Sequence, residues 1–484
     1  MLSFTAPVLI SSILILYSLH WLTRSFLMSA RLIVGYIRYR HDIRRDWLQI
    51  LHDRYTNSAI KQIYQLVIIA TSKERYPIVR STLEAIQASD FPKKQLLVVL
   101  ATEERFADNS ARLCSLAQAE FGKIFGAFIT SIHPKNLPGE VVGKGGNLTW
   151  AGRQAKKYLD RKKIPYNQVI CTTLDSDNRV HRKYFSALAC AYLAHPAPKY
   201  ASFQPIPMFF NNIWEVPLPI RSIALGSSFW QIIESTRPYR LRNFSAHAQS
   251  FEALVATDFW STTTIVEDGH QFWRTYFRFH GRHEVIPLNV PVYQDAVLSP
   301  RGYWATFREQ YIQKRRWAWG CSDIPFVLIH AWQDKKIPFL NKWIQVGRLV
   351  EGHFSWASTS IILAFFSWLP RLANPEFQNA VLAYTFPPLY GRILALALSG
   401  MIVTLTISTL LLPPIPKKRL KRTTWNLVFE WLTAPFLLPI SNVLFSSLPA
   451  IEAQTRLMLG KRLEFKPTEK HIIRQDISNH PAAE

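Results

Sequence analysis

The chain has 484 residues, a formal net charge of +24 and a hydrophobic share of 48%, with 16 Trp and 30 Phe. That length allows one large catalytic domain plus a membrane portion, and so greasy and aromatic a composition disfavours an ordinary soluble enzyme. The positive surplus implies anionic partners: nucleic acid, an acidic lipid surface or a phosphorylated substrate. Cys114, Cys171, Cys190 and Cys321 are widely spaced with no Cys-x-x-Cys pair. A structural zinc site and a disulfide framework are therefore disfavoured, and a reducing compartment fits best.

Leu2–Thr23 contains no formally charged residue, and at about 1.5 Å per residue it covers a roughly 30 Å hydrocarbon core. No Lys or Arg precedes it, which argues against a cleavable signal peptide, whereas Arg24, Arg31, Arg38, Arg40, Arg44 and Arg45 all follow. The positive-inside tendency predicts an anchor with its N-terminus outside and everything after about residue 38 in the cytoplasm.

From Tyr64 to about Asn289, β-prone apolar runs alternate with amphipathic ones. Strands are predicted at Gln65–Thr71, Gln95–Ala101, Phe128–Ile132 and Val169–Leu174, with helices at Ile78–Gln87, Asn109–Glu120 and Gly146–Lys163. Such alternation predicts a mostly parallel sheet with its chemistry at the strands' C-terminal ends, at Thr71–Arg75, Thr102–Arg105 and Asp175–Asp177. Further on, Phe244–Glu252 reads as loop, Thr264–Gly281 as helix, Glu284–Val290 as strand, and Ser299–Gly320 as a helix rich in Arg and Trp.

After Lys342 the composition shifts. Gly352–Pro370 is a marginal span, and Ile393–Leu412 a clean one ending at Pro413-Pro414. The run Lys417-Lys418-Arg419-Leu420-Lys421-Arg422 marks a return to the cytoplasm. Trp431–Ala450 is apolar but broken by Pro435 and Pro439, and a full crossing would leave Arg456, Lys461, Arg462, Lys466 and Lys470 outside. A re-entrant or interfacial pair is the better reading. The domain plan is thus an anchor over 1–38, a cytosolic domain over 39–345, membrane or interfacial helices over 346–465 and a polar tail over 466–484.

Three clusters carry candidate chemistry. The strand Val169–Leu174 ends in Asp175-Ser176-Asp177, which is ordinary turn chemistry but also two oxygen ligands for a hard cation. Glu267-Asp268 opens an aromatic helix, where acids act as caps or as a general base. Gln313-Lys314-Arg315-Arg316-Trp317 reads as an interfacial helix, or as a platform where Trp contacts a sugar face and Arg holds a phosphate. Lys144, in Gly143-Lys144-Gly145-Gly146-Asn147, is a surface turn or a phosphate seat at a helix start.

Taken in order, Asp-x-Asp, Glu-Asp and Gln-x-x-Arg-Trp resemble the family 2 glycosyltransferases of the cellulose synthase, hyaluronan synthase and ceramide glucosyltransferase type, over about Ile63–Leu340. The resemblance implies a GT-A α/β fold, a Rossmann-like nucleotide-sugar-binding cytosolic domain, flanked by transmembrane helices. It implies an inverting, multi-pass membrane enzyme that moves a sugar from a nucleotide-diphosphate donor to a lipid-linked or polysaccharide acceptor, with Mg²⁺ or Mn²⁺. By residue, Asp175 would face the nucleotide, Asp177 the metal, and Asp268 would be the base, while Gln313, Arg316 and Trp317 would line the acceptor and diphosphate end. Lys144 matches the family's lysine-glycine stretch, Thr71 and Glu74 its nucleotide-side loop, and Phe244-Ser245-Ala246-His247 a loop shaping the acceptor pocket. One departure stands out: Ala101-Thr102-Glu103-Glu104-Arg105 replaces the usual Asp pair, so Glu103 would contact the base with a longer arm.

A processive polysaccharide synthase is the alternative within enzymes, although so few spans offer little material for a polymer channel. A membrane-tethered nucleic-acid-binding protein is the alternative outside them. It is disfavoured because the basic clusters lie beside apolar spans, and the one left over, Gly152–Lys163, carries Tyr158 as its lone aromatic. These motifs leave the sugar, the nucleotide and the oligomeric state open.

The charge pattern makes a direct prediction about topology. Residues 40–345 and the Lys417–Arg422 run should be cytoplasmic, so a single cysteine at Lys418→Cys should resist impermeant thiol reagents in intact cells. Labelling from outside would refute the arrangement.

Overall fold

Eight strands form one mixed sheet in the computed structural model, which describes residues 2–415 and 420–465. They are β1 (Tyr64–Ala70), β2 (Leu96–Glu103), β3 (Ala127–His133), β4 (Val169–Asp175), β5 (Arg179–Val180), β6 (Ala201–Met208), β7 (Ala248–Ser250) and β8 (Glu284–Tyr293). The spatial order is β3-β2-β1-β4-β7-β6-β8-β5. β3, β2, β1 and β4 run parallel, as do β6 and β8, while β7 runs antiparallel to both β4 and β6.

The chain winds outward through β1, β2 and β3, then returns to place β4 on the other side of β1. That reversal opens a crevice at the carboxyl ends of β1 and β4, where Ala70 and Asp175 are register partners. Both faces of these strands are covered. Val67, Ile69, Val98 and Leu100 point into one apolar core, and the intervening Leu66, Ile68, Leu97 and Val99 into a second. The second core is closed by Leu148, Ala151, Ala155 and Leu159 of the Lys144–Lys162 helix.

The predicted strands and helices of this half are present within a few residues of their expected ends. Two expectations need correcting. Phe244–Glu252 is not all loop, because it contains β7 and the first residues of the Phe251–Ala256 helix. Trp431–Ala450 is not broken by its prolines: a helix covers Leu420–Asn442, passes through a π-turn at Val443–Ser447, and resumes over Leu448–Met458. In the π-turn the Leu448 N–H reaches back five residues to the Val443 carbonyl, one residue further than in an α-helix.

The helix predicted from Leu2–Thr23 runs further than its apolar part, over Pro7–Asp42. Among the described residues it is one of three helical stretches long and apolar enough to cross a membrane, with Val381–Leu411 and Phe436–Met458. The marginal span Gly352–Pro370 falls on the helix Phe339–Phe365. Tyr17 and Thr359 share a hydroxyl contact of 2.9 Å, and Arg24 meets Glu351 at 2.6 Å, so this helix lies beside the N-terminal one. Lys417, Lys418, Arg419, Lys466, Lys470 and the rest of the tail lie outside the described residues.

The glycines of the lysine stretch are packing devices. A Cβ on Gly145 would lie 2.1 Å from the backbone carbonyl oxygen of Ser261, and backbone cannot move aside cheaply. Gly145→Ala should therefore lower stability by about 1–3 kcal/mol. Gly226, in the Leu218–Ser235 helix, has nothing within 4 Å of the place a methyl group would take, so Gly226→Ala should be neutral or stabilising. Thermal unfolding in detergent checks the pair, and equal midpoints for the two variants would contradict the packing.

Candidate active site

The turn after β4 is closed by the Asn178 N–H bonding to the Asp175 carbonyl at 3.0 Å. It presents Asp175 at the rim and holds Asp177 deeper. Asp175 Oδ2 accepts the Ser245 hydroxyl at 2.7 Å. Asp177 Oδ2 accepts the backbone N–H of Asp295 at 3.1 Å, and its carbonyl accepts Asn211 Nδ2 at 2.9 Å. Asn211 Nδ2 also donates to Asp295 Oδ1 at 2.9 Å, so the chain beyond β6 and the chain beyond β8 fix the same turn.

Lys144 stands at the start of its helix with the ammonium directed at the carboxylates. Its Nζ is 3.0 Å from Asp175 Oδ1 and 3.8 Å from both Glu267 Oε1 and Asp268 Oδ1. Burial opposes the charge on Lys144, but Asp175, Asp268 and Glu267 outweigh it and hold the lysine above its ordinary pKa. Burial pushes the Glu267 carboxyl well up, and the Asp268 charge beside it adds to the shift. Burial likewise lowers the pKa of Arg316, against the pull of Asp175, Glu267 and Asp268. Three segments far apart in sequence thus meet at one charge cluster, with Arg316 within electrostatic reach of it.

Glu267 and Asp268 open the helix Glu267–Arg278, yet no side chain caps that end, and the N-cap position is Val266. Asp268 is in the first turn and is not the cap. Its Oδ1 is buried and makes no hydrogen bond. His247 Nδ1 lies 3.6 Å from it while also facing the Phe244 carbonyl at 2.9 Å. Burial lowers the pKa of His247, so the imidazole beside Asp268 is neutral near pH 7. The loop Phe244–His247 therefore reaches the cluster twice, through Ser245 and through His247.

The other candidate residues are distributed around this centre. Thr71 follows β1, with its hydroxyl 3.1 Å from the Ala101 carbonyl, and Glu74 accepts the Ser72 N–H at 2.7 Å. Asn147 ties this edge to the lysine stretch by donating to the carbonyls of Thr71 (3.2 Å) and Ala101 (3.1 Å). Glu103 is buried at the end of β2 and paired with Arg105, so its carboxylate is engaged and not open to solvent. Gln313 accepts from Gln310 at 3.3 Å. Trp317 is not at the charge cluster: its ring packs 5.8 Å from that of Phe209 and carries the Lys314 ammonium 4.5 Å above it. Arg316 lies over the Phe465 ring at 5.2 Å.

The sequence pattern does not single out Asn211, Asp295 or Asn147. An Asn after the lysine-glycine stretch is visible in the sequence, but its role depends on two strand ends that only the sheet brings together. The pair His270–Asp323, with Nδ1 to Oδ1 at 2.7 Å, is equally hidden there. It ties the Glu267–Arg278 helix to the Asp323–Gln333 helix beyond the Trp-Arg stretch.

The donor chemistry suits a hard divalent cation. Asp175 and Asp177 present carboxylates oriented by other hydrogen bonds, and a carboxylate offers about four lone-pair sites in all. Among the described residues, no group of three or more His, Cys, Asp or Glu side chains is assembled around one point for a metal. One or two carboxylates with substrate phosphates completing the shell is the usual Mg²⁺ arrangement.

No protein-family model matches the sequence, and no curated protein matches it. Among solved structures, the chain is similar to the mannosyltransferase PcManGT of Pyrobaculum calidifontis, solved in complex with GDP-Man and Mn²⁺. The identity is 14% and the TM-score 0.46, over 93% of this chain and 100% of that one. It is also similar to S. aureus TarS, at 15% identity and a TM-score of 0.37 over 63% of this chain and 46% of that one. The 1–349 portion of TarS in complex with UDP-GlcNAc gives 13% identity and 0.37, over 84% and 94%. At such scores none of them defines the fold or the activity of this chain.

Proposed function

We propose that the protein is a membrane-bound inverting glycosyltransferase that moves a sugar from a nucleotide-diphosphate donor to a lipid-linked or polysaccharide acceptor at the cytoplasmic membrane face. The observation that carries this reading is the convergence of Lys144, Asp175, Glu267, Asp268 and Arg316 at the carboxyl ends of β1 and β4. Three sequence motifs that have no structural reason to meet come together at the crevice where an open α/β sheet binds ligands.

In this reading the acceptor hydroxyl gives its proton to Asp268 as its oxygen attacks the anomeric carbon. The bond from that carbon to the diphosphate oxygen breaks, and its electron pair leaves with the nucleoside diphosphate. Arg316 faces the departing charge, and Lys144 holds the carboxylates in place until the anionic donor arrives. Asp175 meets the nucleotide side, with Thr71, Glu74 and Glu103 behind it at the ends of β1 and β2. Gln313 and Trp317 belong to the acceptor end. Asp177, with Asp175, would hold Mg²⁺ or Mn²⁺, which when bound neutralises diphosphate charge. A panel of nucleotide sugars offered to the reconstituted protein, with released nucleotide identified by mass spectrometry, tests the reading directly.

The membrane plan belongs to the same proposal: anchor over 1–38, sugar-transfer domain over 39–345, membrane and interfacial helices over 346–465, and a cytosolic tail. Glu430 accepts the Ser222 hydroxyl at 3.1 Å, and Glu452 accepts the Tyr311 hydroxyl at 2.9 Å. Two points along the Leu420–Met458 run thus touch helices of the sugar-transfer domain, which favours an interfacial or re-entrant course over a crossing.

Two substitutions separate chemistry from packing. Asp177→Asn, which keeps an acceptor for the Asp295 N–H, should abolish transfer with little change in thermal stability, and EDTA should silence the wild type until Mg²⁺ or Mn²⁺ is restored. Full activity in chelator would remove the metal from the mechanism. Asp268→Asn keeps the shape and withdraws the proton acceptor. It should fold and bind nucleotide normally but transfer sugar at least about a hundredfold more slowly. A nearly fully active Asp268→Asn would move the role of base to Glu267.

A further inference from the structure

The helices Asp323–Gln333 and Phe339–Phe365 pack together through Val327, Ala331, Ile337 and Val346, which belong to one buried core. Their outer sides are apolar as well. On the first helix Leu328, Ile329 and Trp332 recur at helical spacing and are exposed, Trp332 to 70%. On the second, Phe339 and Leu340 are 70% and 71% exposed, with the exposed Ile344 one turn further on. A surface helix of a soluble domain carries polar residues on that side. Large apolar side chains exposed on two neighbouring helices mark a contact with something else.

The charges beside this patch are basic. Between Pro325 and Ile344 the one acid is Asp334. Its side chain is 11% exposed and is held by His280 and by the N–H groups of Lys336 and Ile337. Lys335 and Lys336 are exposed, and Lys335 Nζ donates to the Trp332 carbonyl at 3.1 Å and lies 5.5 Å from the centre of its ring. The exposed Arg282 follows Gly281, which packs against Ile337, so it stands beside the same connection. The N-terminal helix sets the level of the patch. Tyr17 meets Thr359 and Arg24 meets Glu351, so the helices Pro7–Asp42 and Phe339–Phe365 run antiparallel. Beyond Arg24 the exposed apolar side chains of the N-terminal helix continue to Ile37 and stop at Arg38, roughly 21 Å on by the rise of an α-helix. From Glu351 back to Phe339 is roughly 18 Å by the same rise. The patch thus lies where the N-terminal helix changes from apolar to basic, the level expected for the cytoplasmic surface of a membrane.

We infer that Leu328–Ile344 docks on the anionic cytoplasmic surface of the bilayer, with Trp332, Phe339 and Leu340 among the headgroups and Lys335 and Lys336 against lipid phosphates. Tryptophan and lysine suit that boundary because each has an apolar body and a polar end. Anionic lipid answers both halves of the patch, since it covers the apolar side chains and neutralises the exposed cations. A second copy of this chain docked by the same surface would bring a second set of the same lysines to the contact. The inference rests on the membrane placement proposed above and not on sugar transfer.

The test uses the full chain in nanodiscs, with the fluorophore NBD on Gln333→Cys in a Cys114→Ser background and a lipid spin-labelled at the headgroup as quencher. In phosphatidylcholine discs containing phosphatidylglycerol the probe should be quenched, and salt at about 1 M should weaken the quenching. Lys335→Glu combined with Lys336→Glu should lower the docked-to-undocked ratio at least about twentyfold, as expected for two cations each worth about fivefold near an anionic surface. The unfolding midpoint of that variant should match the wild type, since both side chains are exposed. NBD on Leu396→Cys, exposed on the Val381–Leu411 helix, reports membrane insertion separately when the spin label is moved into the acyl chain. Quenching at Leu396 with none at Gln333 would overturn the inference and leave the apolar patch to a second copy or another protein. Equal quenching at Gln333 in the lysine variant, or in discs of phosphatidylcholine alone, would overturn the anionic surface. No quenching at Leu396 would remove the membrane placement and the inference with it. None of these readouts involves a nucleotide sugar, so a chain inactive in transfer tests the surface equally well.

Discussion

The buried ammonium of Lys144 is the constraint on which the crevice depends. Asp175 comes from one segment and the adjacent Glu267 and Asp268 from another, and each has an oxygen within 4 Å of the same nitrogen. Carboxylates brought that close repel one another, and burial raises the cost of charging any of them. A cation at their centre is what allows β4 and the Glu267–Arg278 helix to face each other. Position demands glycine at Gly145, since the chain beside Lys144 must pass there against the Ser261 carbonyl, whereas the side-chain end of Glu140 beside Gly146 can move. The lysine and that glycine are thus one device: the first supplies charge, the second close approach.

How much of this is legible in the sequence follows from what each feature depends on. β1, β2 and β4 are continuous apolar runs, because both of their faces are covered, and such runs are visible without knowing the fold. β6 is hidden, since Ala201–Met208 carries Pro205 and Pro207 and reads as a strand breaker. It escapes that rule at a register irregularity, where its pairing with β8 shifts between Gln204 and Ile206. The acidic motifs are legible as types, but their partners are not. Nothing in the local pattern of Asn211 or Asp295 foretells that both hold the Asp177 turn, because that depends on where β6 and β8 end. Glu103 shows the opposite limit: its place at the end of β2 is readable, but its capture by Arg105 two residues on is not.

The long apolar helices are bound to the sheet domain by charge as well as by packing. Glu351 is shared between Arg24 of the N-terminal helix, at 2.6 Å, and Arg240, which follows the Leu218–Ser235 helix, at 3.0 Å. Further along the N-terminal helix, Gly35 lies so close to Ile232 that a Cβ there would sit 2.5 Å from its side chain. Ser25 and Ser29 donate to the carbonyls of Ala397 and Gly400. Small residues at these crossings let helix backbones approach, which is how helices associate where apolar burial gives no net drive. The same N-terminal helix therefore meets the apolar helix Val381–Leu411 and the sheet domain along one continuous rod.

Glu267 and Asp268 are neighbours in sequence and both touch Lys144, yet their surroundings divide their work. The Glu267 side chain is 5% exposed and that of Asp268 is 22% exposed. Burial together with the adjoining Asp268 charge raises the Glu267 pKa, so Glu267 is the one driven towards its neutral form. A neutral carboxylic acid cannot accept a proton, whereas it can sit against a charged neighbour without repelling it. Asp268 is the more exposed of the two, carries a buried oxygen with no hydrogen bond, and lies beside an imidazole whose pKa is lowered by burial. His270, two residues on, is clamped to the buried Asp323, which fixes the first turn of the helix from its far side. A base needs a fixed position, a free lone pair and access to the hydroxyl it deprotonates. In the proposed reaction, the greater exposure of Asp268 and its unbonded oxygen favour it over Glu267 for that role.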